Sequence, residues 1–147
     1  LYPQEDMELL TRYFQNAAGE LVQDSAGFLR ANWYSKSRTL ADTQALFNHM
    51  LLALQRNGWS RILINQVGMQ PFSPKEQAWV AHEWVPRAVR EGGYRYGAVV
   101  VSPNVIVRLA TAYITTHVQN LPLTYRSFDA EADAVAWLLQ QPASARL

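Results

Sequence analysis

The chain has 147 residues, 49% of them hydrophobic and 17% charged, so it is too apolar for a disordered polyelectrolyte and long enough to bury about two thirds of the surface its unfolded form would expose. Thirteen Lys and Arg against twelve Asp and Glu leave a formal net charge of +1, without the basic footprint of a phosphate-backbone binder, and nucleic acid is not expected as a partner. No apolar run approaches the roughly 20 residues of a membrane-spanning helix, so no integral membrane contact is expected, and the absence of cysteine removes disulfides and thiolate chemistry.

Leu1 to Asp6 carries acids where a signal peptide would carry Lys or Arg, which predicts a cytoplasmic protein. Leu9 to Gln15 alternates, as does Glu20 to Ala26 after the turn residues Asn16 to Gly19, and the pair reads as an opening β-hairpin. From Leu40 to Arg56, residues Leu40, Phe47, Met50, Leu51 and Leu54 share one helical face, with Gly58 placed to end the helix. Ile62 to Ile64 and Ala98 to Val101 are short continuous apolar runs that suit central strands. Between them, Ser73, Pro74 and Glu76 form a capping box with proline at the first helical position, opening a helix toward Gly92 that Pro86 should kink or break. Ser102 and Pro103 start another helix, on which Val105, Ile106, Leu109 and Tyr113 share a face, fading by Asn120. Leu123 to Phe128 reads as the last strand. Asp129 caps a closing helix through Leu139 with a stripe of Ala132, Ala136 and Leu139, and a polar tail runs from Pro142.

This order predicts one domain over residues 1–147: an α/β fold with a mixed, mainly parallel sheet of about five strands and four helices, β-β-α-β-α-β-α-β-α. The order, together with Phe72-Ser73-Pro74-Lys75-Glu76-Gln77-Ala78-Trp79, Glu83-Trp84-Val85-Pro86-Arg87-Ala88 and Phe128 to Leu138, resembles bacterial SpoIIAA-like domains of the STAS fold across about Leu9 to Leu139. Relatives of that kind which antagonise anti-sigma factors are switched by phosphorylation of a serine or threonine where the corresponding helix begins. After Ile64, however, this chain has Asn65-Gln66-Val67-Gly68, where those switch proteins carry an aspartate followed closely by Ser-Ser-Gly, and Ser73 lies farther along. Ser73 is therefore read as a structural cap rather than a phosphosite.

His82 and Glu83 begin like a zinc-protease helix, but the second histidine position is Pro86, and His49, His82 and His117 come from three different helices, so no metal or other cofactor is expected. No Gly-x-Ser-x-Gly elbow exposes a serine, and Gly92, Gly93 and Gly97 precede a strand rather than a helix. Glu76 and Glu83, two turns apart, read as charges of a solvated face. No catalytic residue is assigned.

Aromatic placement carries the remaining signal. Val80, Ala81, Trp84, Val85 and Ala88 make the apolar stripe of the Ser73 helix, whereas Trp79 projects about 140° away among Lys75, Glu76, Glu83 and Arg87. Either Trp79 marks a contact surface with Glu83 and Arg87, or a loop such as the Trp33-Tyr34 segment covers it. Arg87 and Arg90 either meet an anion or offset the helix dipole. The favoured reading is a non-enzymatic interaction module, a homodimer or partner-binding domain with Trp33, Tyr34, Trp79, Glu83 and Arg87 as candidate interface. A small-molecule or lipid binder is the alternative, motivated by the 12% aromatic content and by Trp33, Tyr34 and Trp59 near element ends. An enzyme with a site assembled from distant residues comes third.

Overall fold

The computed structural model describes residues 10–144. The acidic residues Leu1 to Asp6, Leu9 and the last three residues of the tail lie outside them. The chain builds a six-stranded mixed sheet in sequential order from β1 (Leu10–Gln15), β2 (Gly19–Asp24), β3 (Phe28–Trp33), β4 (Arg61–Asn65), β5 (Tyr96–Val100) and β6 (Thr124–Phe128). The first three strands pair antiparallel and the rest parallel. Helix α1 (Leu40–Asn57) links β3 to β4. A continuous rod of α2 (Pro74–Trp79), a π-helical turn (Val80–Trp84) and α3 (Val85–Gly92) links β4 to β5, α4 (Val105–His117) links β5 to β6, and α5 (Glu131–Leu139) closes the described chain.

The sixth strand corrects the five-strand expectation. Phe28–Trp33 lies inside the sheet with both faces covered, Phe28 on one side and Leu29 and Ala31 on the other, so it lacks the one-sided alternation that marks a half-buried strand. Its signal lay in the preceding turn. Asp24 Oδ1 accepts from the Ala26 amide at 2.9 Å, and Gly27 takes φ 95°, a left-handed conformation that only glycine adopts without strain.

Connections between neighbouring parallel strands are right-handed, so the three crossovers place α1, the α2–α3 rod and α4 on one face. There Leu29, Ala31, Leu46, Met50, Ile62, Trp84 and Val107 form the main core. The opposite face carries α5 alone, over Phe28, Leu63, Ala98 and Val100. Helix α1 ends at Gly58, φ 66°, as expected, and starts at a capping box of Thr39 and Asp42.

Pro86 does not break its helix. The Val85 amide bonds to the Val80 carbonyl five residues back, and this wider turn just ahead of the proline accommodates its ring and missing donor while the rod continues to Gly92. At the start of the rod, Ser73 Oγ accepts from the Glu76 amide at 3.1 Å and Glu76 Oε1 from the Ser73 amide at 2.7 Å. Ser73→Ala should lose about 1 kcal/mol in urea unfolding and Ser73→Asp almost nothing, because aspartate also caps. Equal losses in the two variants would show that the cap contributes no stability of its own.

The last two helices rotate relative to expectation. Helix α4 starts from Asn104, whose side chain accepts from the Ile106 amide, and Ser102, two residues earlier, is buried. It buries Val107, Ala110 and Ile114 instead of the Val105 stripe. Helix α5 has Ala130, not Asp129, at its N-cap, and buries Ala134 and Leu138 while Ala132, Ala136 and Leu139 face outward. The supposed tail begins tied down: the Pro142 carbonyl accepts from Ser60 Oγ at 2.6 Å and the Ala143 carbonyl from the Ser60 amide at 2.9 Å.

Candidate functional site

The residues expected to form one contact surface are dispersed. Trp33 is 5% exposed and packs edge-on against Phe72, which removes it from any surface. Tyr34 is half-buried, its hydroxyl accepting from Gln15 Nε2 at 2.8 Å. Trp79 is half-buried against Phe47, ring centroids 6.0 Å apart, so α1 rather than the Trp33-Tyr34 segment covers it. Glu83 is exposed, and Arg87 donates to Asn48 Oδ1 at 2.6 Å.

Glu76 corrects the solvated-face reading. It is buried in a fork with Arg38, Nε to Oε2 at 2.8 Å and Nη2 to Oε1 at 3.1 Å, and Thr43 Oγ1 donates to the same carboxylate. Burial pushes this carboxyl up, but the hydrogen bonds from Arg38, Thr43 and Ser73 and the Arg38 charge bring it below the usual carboxylate value. It is a structural ion pair, and Glu83 does not join it. His82 and His117, on separate helices, lie with rings 5.8 Å apart, yet no cluster of three or more metal-binding side chains occurs among the described residues.

Helix α4 supplies the most unusual surface. Val105, Ile106, Leu109 and Tyr113 are 53%, 55%, 62% and 36% exposed, on the side opposite the buried Val107, Ala110 and Ile114. They present roughly 400 Å² of surface, within the range of the largest apolar patch on a typical monomer, which is often functional. Arg108 is the one Asp, Glu, Lys or Arg in the helix. Thr111, Thr115 and Arg108 fill one sector between two apolar faces, and the described chain buries only one of those faces.

Behind α4 lies a cleft at the carboxyl ends of β4, β5 and β6, where ligands bind in open parallel sheets. Its outer part, about 320 Å³, is bounded by Arg108, Thr111, Ser127 and Asp129. Gln66, Val99, Thr111, Thr115 and Tyr125 also line an inner chamber of about 30 Å³, room for a water-sized group, walled by Trp33, Phe72 and Trp84. Gln66 is buried, its carbonyl oxygen accepting from Thr111 Oγ1 at 3.1 Å.

Tyr94 also lines this chamber, fully buried, with a hydroxyl that has the Tyr125 hydroxyl as its polar neighbour but no well-formed hydrogen bond. Burial raises its pKa well above the ordinary tyrosine value, helped by the neighbouring Tyr125 hydroxyl, and burial pushes Tyr125 up to about 12 with Tyr94 opposing. Both hydroxyls therefore stay protonated at neutral pH. Gly97 makes room for the two rings: a Cβ there would stand 2.5 Å from Tyr94 Oη and 2.5 Å from Tyr125 Cε1. Gly97 lies inside β5 rather than ahead of it, and a glycine within a strand is a sign of close approach.

No family model matches the chain, and no curated protein or solved structure matches it either.

Proposed function

We propose that the chain is a non-enzymatic interaction module, a SpoIIAA-like STAS domain that acts by pairing with a second copy of itself through α4. The observation carrying this reading is the exposed stripe Val105, Ile106, Leu109 and Tyr113. Val105, Leu109, Ala112 and Thr116 also follow one another at four- and three-residue spacings, the seam of a two-helix contact. A two-fold axis between residues 110 and 111 sets Leu109 against the partner subunit's Ala112. The same axis leaves Arg108 and Tyr113 on opposite flanks of the seam, where each meets the rim of the contact. The stripe supplies about half of the roughly 800 Å² per partner of a standard interface, and flanking polar surface forms the rim.

Sedimentation equilibrium tests the reading. The wild type should be a dimer at micromolar concentration, and Leu109→Glu should weaken it by at least about 100-fold, because pairing buries one carboxylate from each copy without a partner. Leu109 faces outward, so the variant should keep its thermal stability. Trp79→Ala should leave the dimer intact while lowering stability through the lost Phe47 contact. A wild type that stays monomeric at about 200 μM, or a Leu109→Glu dimer of unchanged affinity, overturns the proposal.

A further inference from the structure

The cleft behind α4 adjoins the proposed pairing face, and Arg108 and Ala112 border both. We propose that it binds a small uncharged molecule with an aromatic or aliphatic body and one carbonyl oxygen, the oxygen seated in the inner chamber on the Tyr94 hydroxyl and the Gln66 amide. Three observations converge. The chamber holds about one water-sized group behind an outer cleft of about 320 Å³, within the range of small-ligand sites. Its walls are apolar, yet Tyr94 brings in a fully buried hydroxyl whose polar neighbour is the Tyr125 hydroxyl and which makes no well-formed hydrogen bond, an arrangement that costs stability unless something accepts the proton. Gln66 uses its carbonyl on Thr111, which turns the amide nitrogen into the second available donor.

The ligand class follows from the charges. No Asp, Glu, Lys or Arg lines the chamber, and both tyrosines are neutral, so a buried carboxylate would lack a counter-charge whereas a ketone, amide or lactone oxygen accepts both hydrogen bonds. Arg108 and Asp129 stand at the outer cleft, where the body of the molecule emerges.

Acetophenone is the probe, with ethylbenzene as the same carbon frame lacking oxygen and benzoate as the charged form. ¹⁵N-resolved NMR titration should show saturable shifts of the Gln66 side-chain amide and the Thr111 backbone amide with acetophenone, binding roughly three- to ten-fold tighter than ethylbenzene. Benzoate should bind more weakly than either. Tyr94→Phe separates function from folding. It should raise Tm by roughly 2–6 °C by deleting an unpaired buried hydroxyl, and bring acetophenone down to the affinity of ethylbenzene. Repeating the titration on Leu109→Glu should give the same affinities, so a failure of pairing would not read as a failure of the cleft. No saturable shift up to about 10 mM, equal affinity for ethylbenzene, tightest binding of benzoate, or a lower Tm in Tyr94→Phe would each overturn the proposal.

Discussion

Arg38→Met should cost about 3–5 kcal/mol at neutral pH, and the cost should shrink on acidification. The side chains of Arg38 and Glu76 are 4% and 7% exposed, so removing the guanidinium strands a carboxylate in a site built for a pair. Arg38 also donates to the Gln70 and Pro71 carbonyls and lies 5.4 Å from the Trp33 ring and 5.7 Å from that of Phe72. One side chain thus ties the segment before α1 to the segment before α2 and backs two walls of the inner chamber. In the wild type Glu76 has a folded pKa below its ordinary value of 4.5; its contribution is present above that value and lost as pH falls through the lower folded value. Without Arg38 the burial effect dominates and the folded pKa rises above the unfolded one. The carboxyl then takes up a proton on folding, and acid relieves the variant while it weakens the wild type. Urea midpoints measured from about pH 7 to pH 3 should converge, and adding Glu76→Gln should recover more than half of the neutral-pH loss. A pH-independent gap, or no recovery in the double variant, would sink this account.

The sequence was most readable where one residue type has one physical job. Ser73 with Glu76, and Gly58 after α1, mark helix ends through backbone hydrogen bonds made within a few residues, so no tertiary knowledge is needed to place them. The continuous apolar runs of β4 and β5 were equally plain because both faces of those strands are covered. Long-range pairing was opaque. The fork between Arg38 and Glu76 spans 38 residues, and on the helical wheel Glu76 is indistinguishable from the exposed Glu83. The Tyr94 hydroxyl likewise reaches its chamber through a loop whose path no periodicity encodes.

Helix α4 shows a different kind of failure. Val105, Ile106, Leu109 and Tyr113 share a face in the sequence, and a single apolar face ordinarily turns inward. Here there are two apolar faces, and the one with the smaller residue Ala110 between Val107 and Ile114 turns into the core, where the helix packs on the α2–α3 rod. The larger side chains Leu109 and Tyr113 are left outside. Local rules break most informatively at surfaces that meet something else, and the rotation of α4 is what directed the functional reading away from Trp79.

Arg61→Met should be as damaging as loss of Arg38, about 3–5 kcal/mol, but with a flat pH profile and a local signature. Arg61 is buried at the start of β4, where Nη1 donates to the Leu138 and Gln141 carbonyls at 3.0 and 3.1 Å and Nη2 to the Ala26 and Gly27 carbonyls at 2.9 Å each. A single guanidinium thus joins the β2–β3 turn to the end of α5, where free carbonyls and the helix dipole favour a cation. Desolvation lowers its pKa and Asp24 opposes, yet an arginine stays charged at every pH the fold survives, so the loss should not vary between about pH 5 and pH 9. Arg61→Lys should recover less than half of it, because an ammonium has three donors and no planar fork to reach four carbonyls on two elements. With the clamp gone, α5 keeps the Ala134 and Leu138 contacts and the Ser60 latch but should open well below the global unfolding free energy. Hydrogen exchange should then accelerate in α5 while α1 and α4 change only with global stability. Uniform acceleration along the chain, or full rescue by lysine, would mean that Arg61 contributes as a buried charge alone and not as a four-carbonyl clamp.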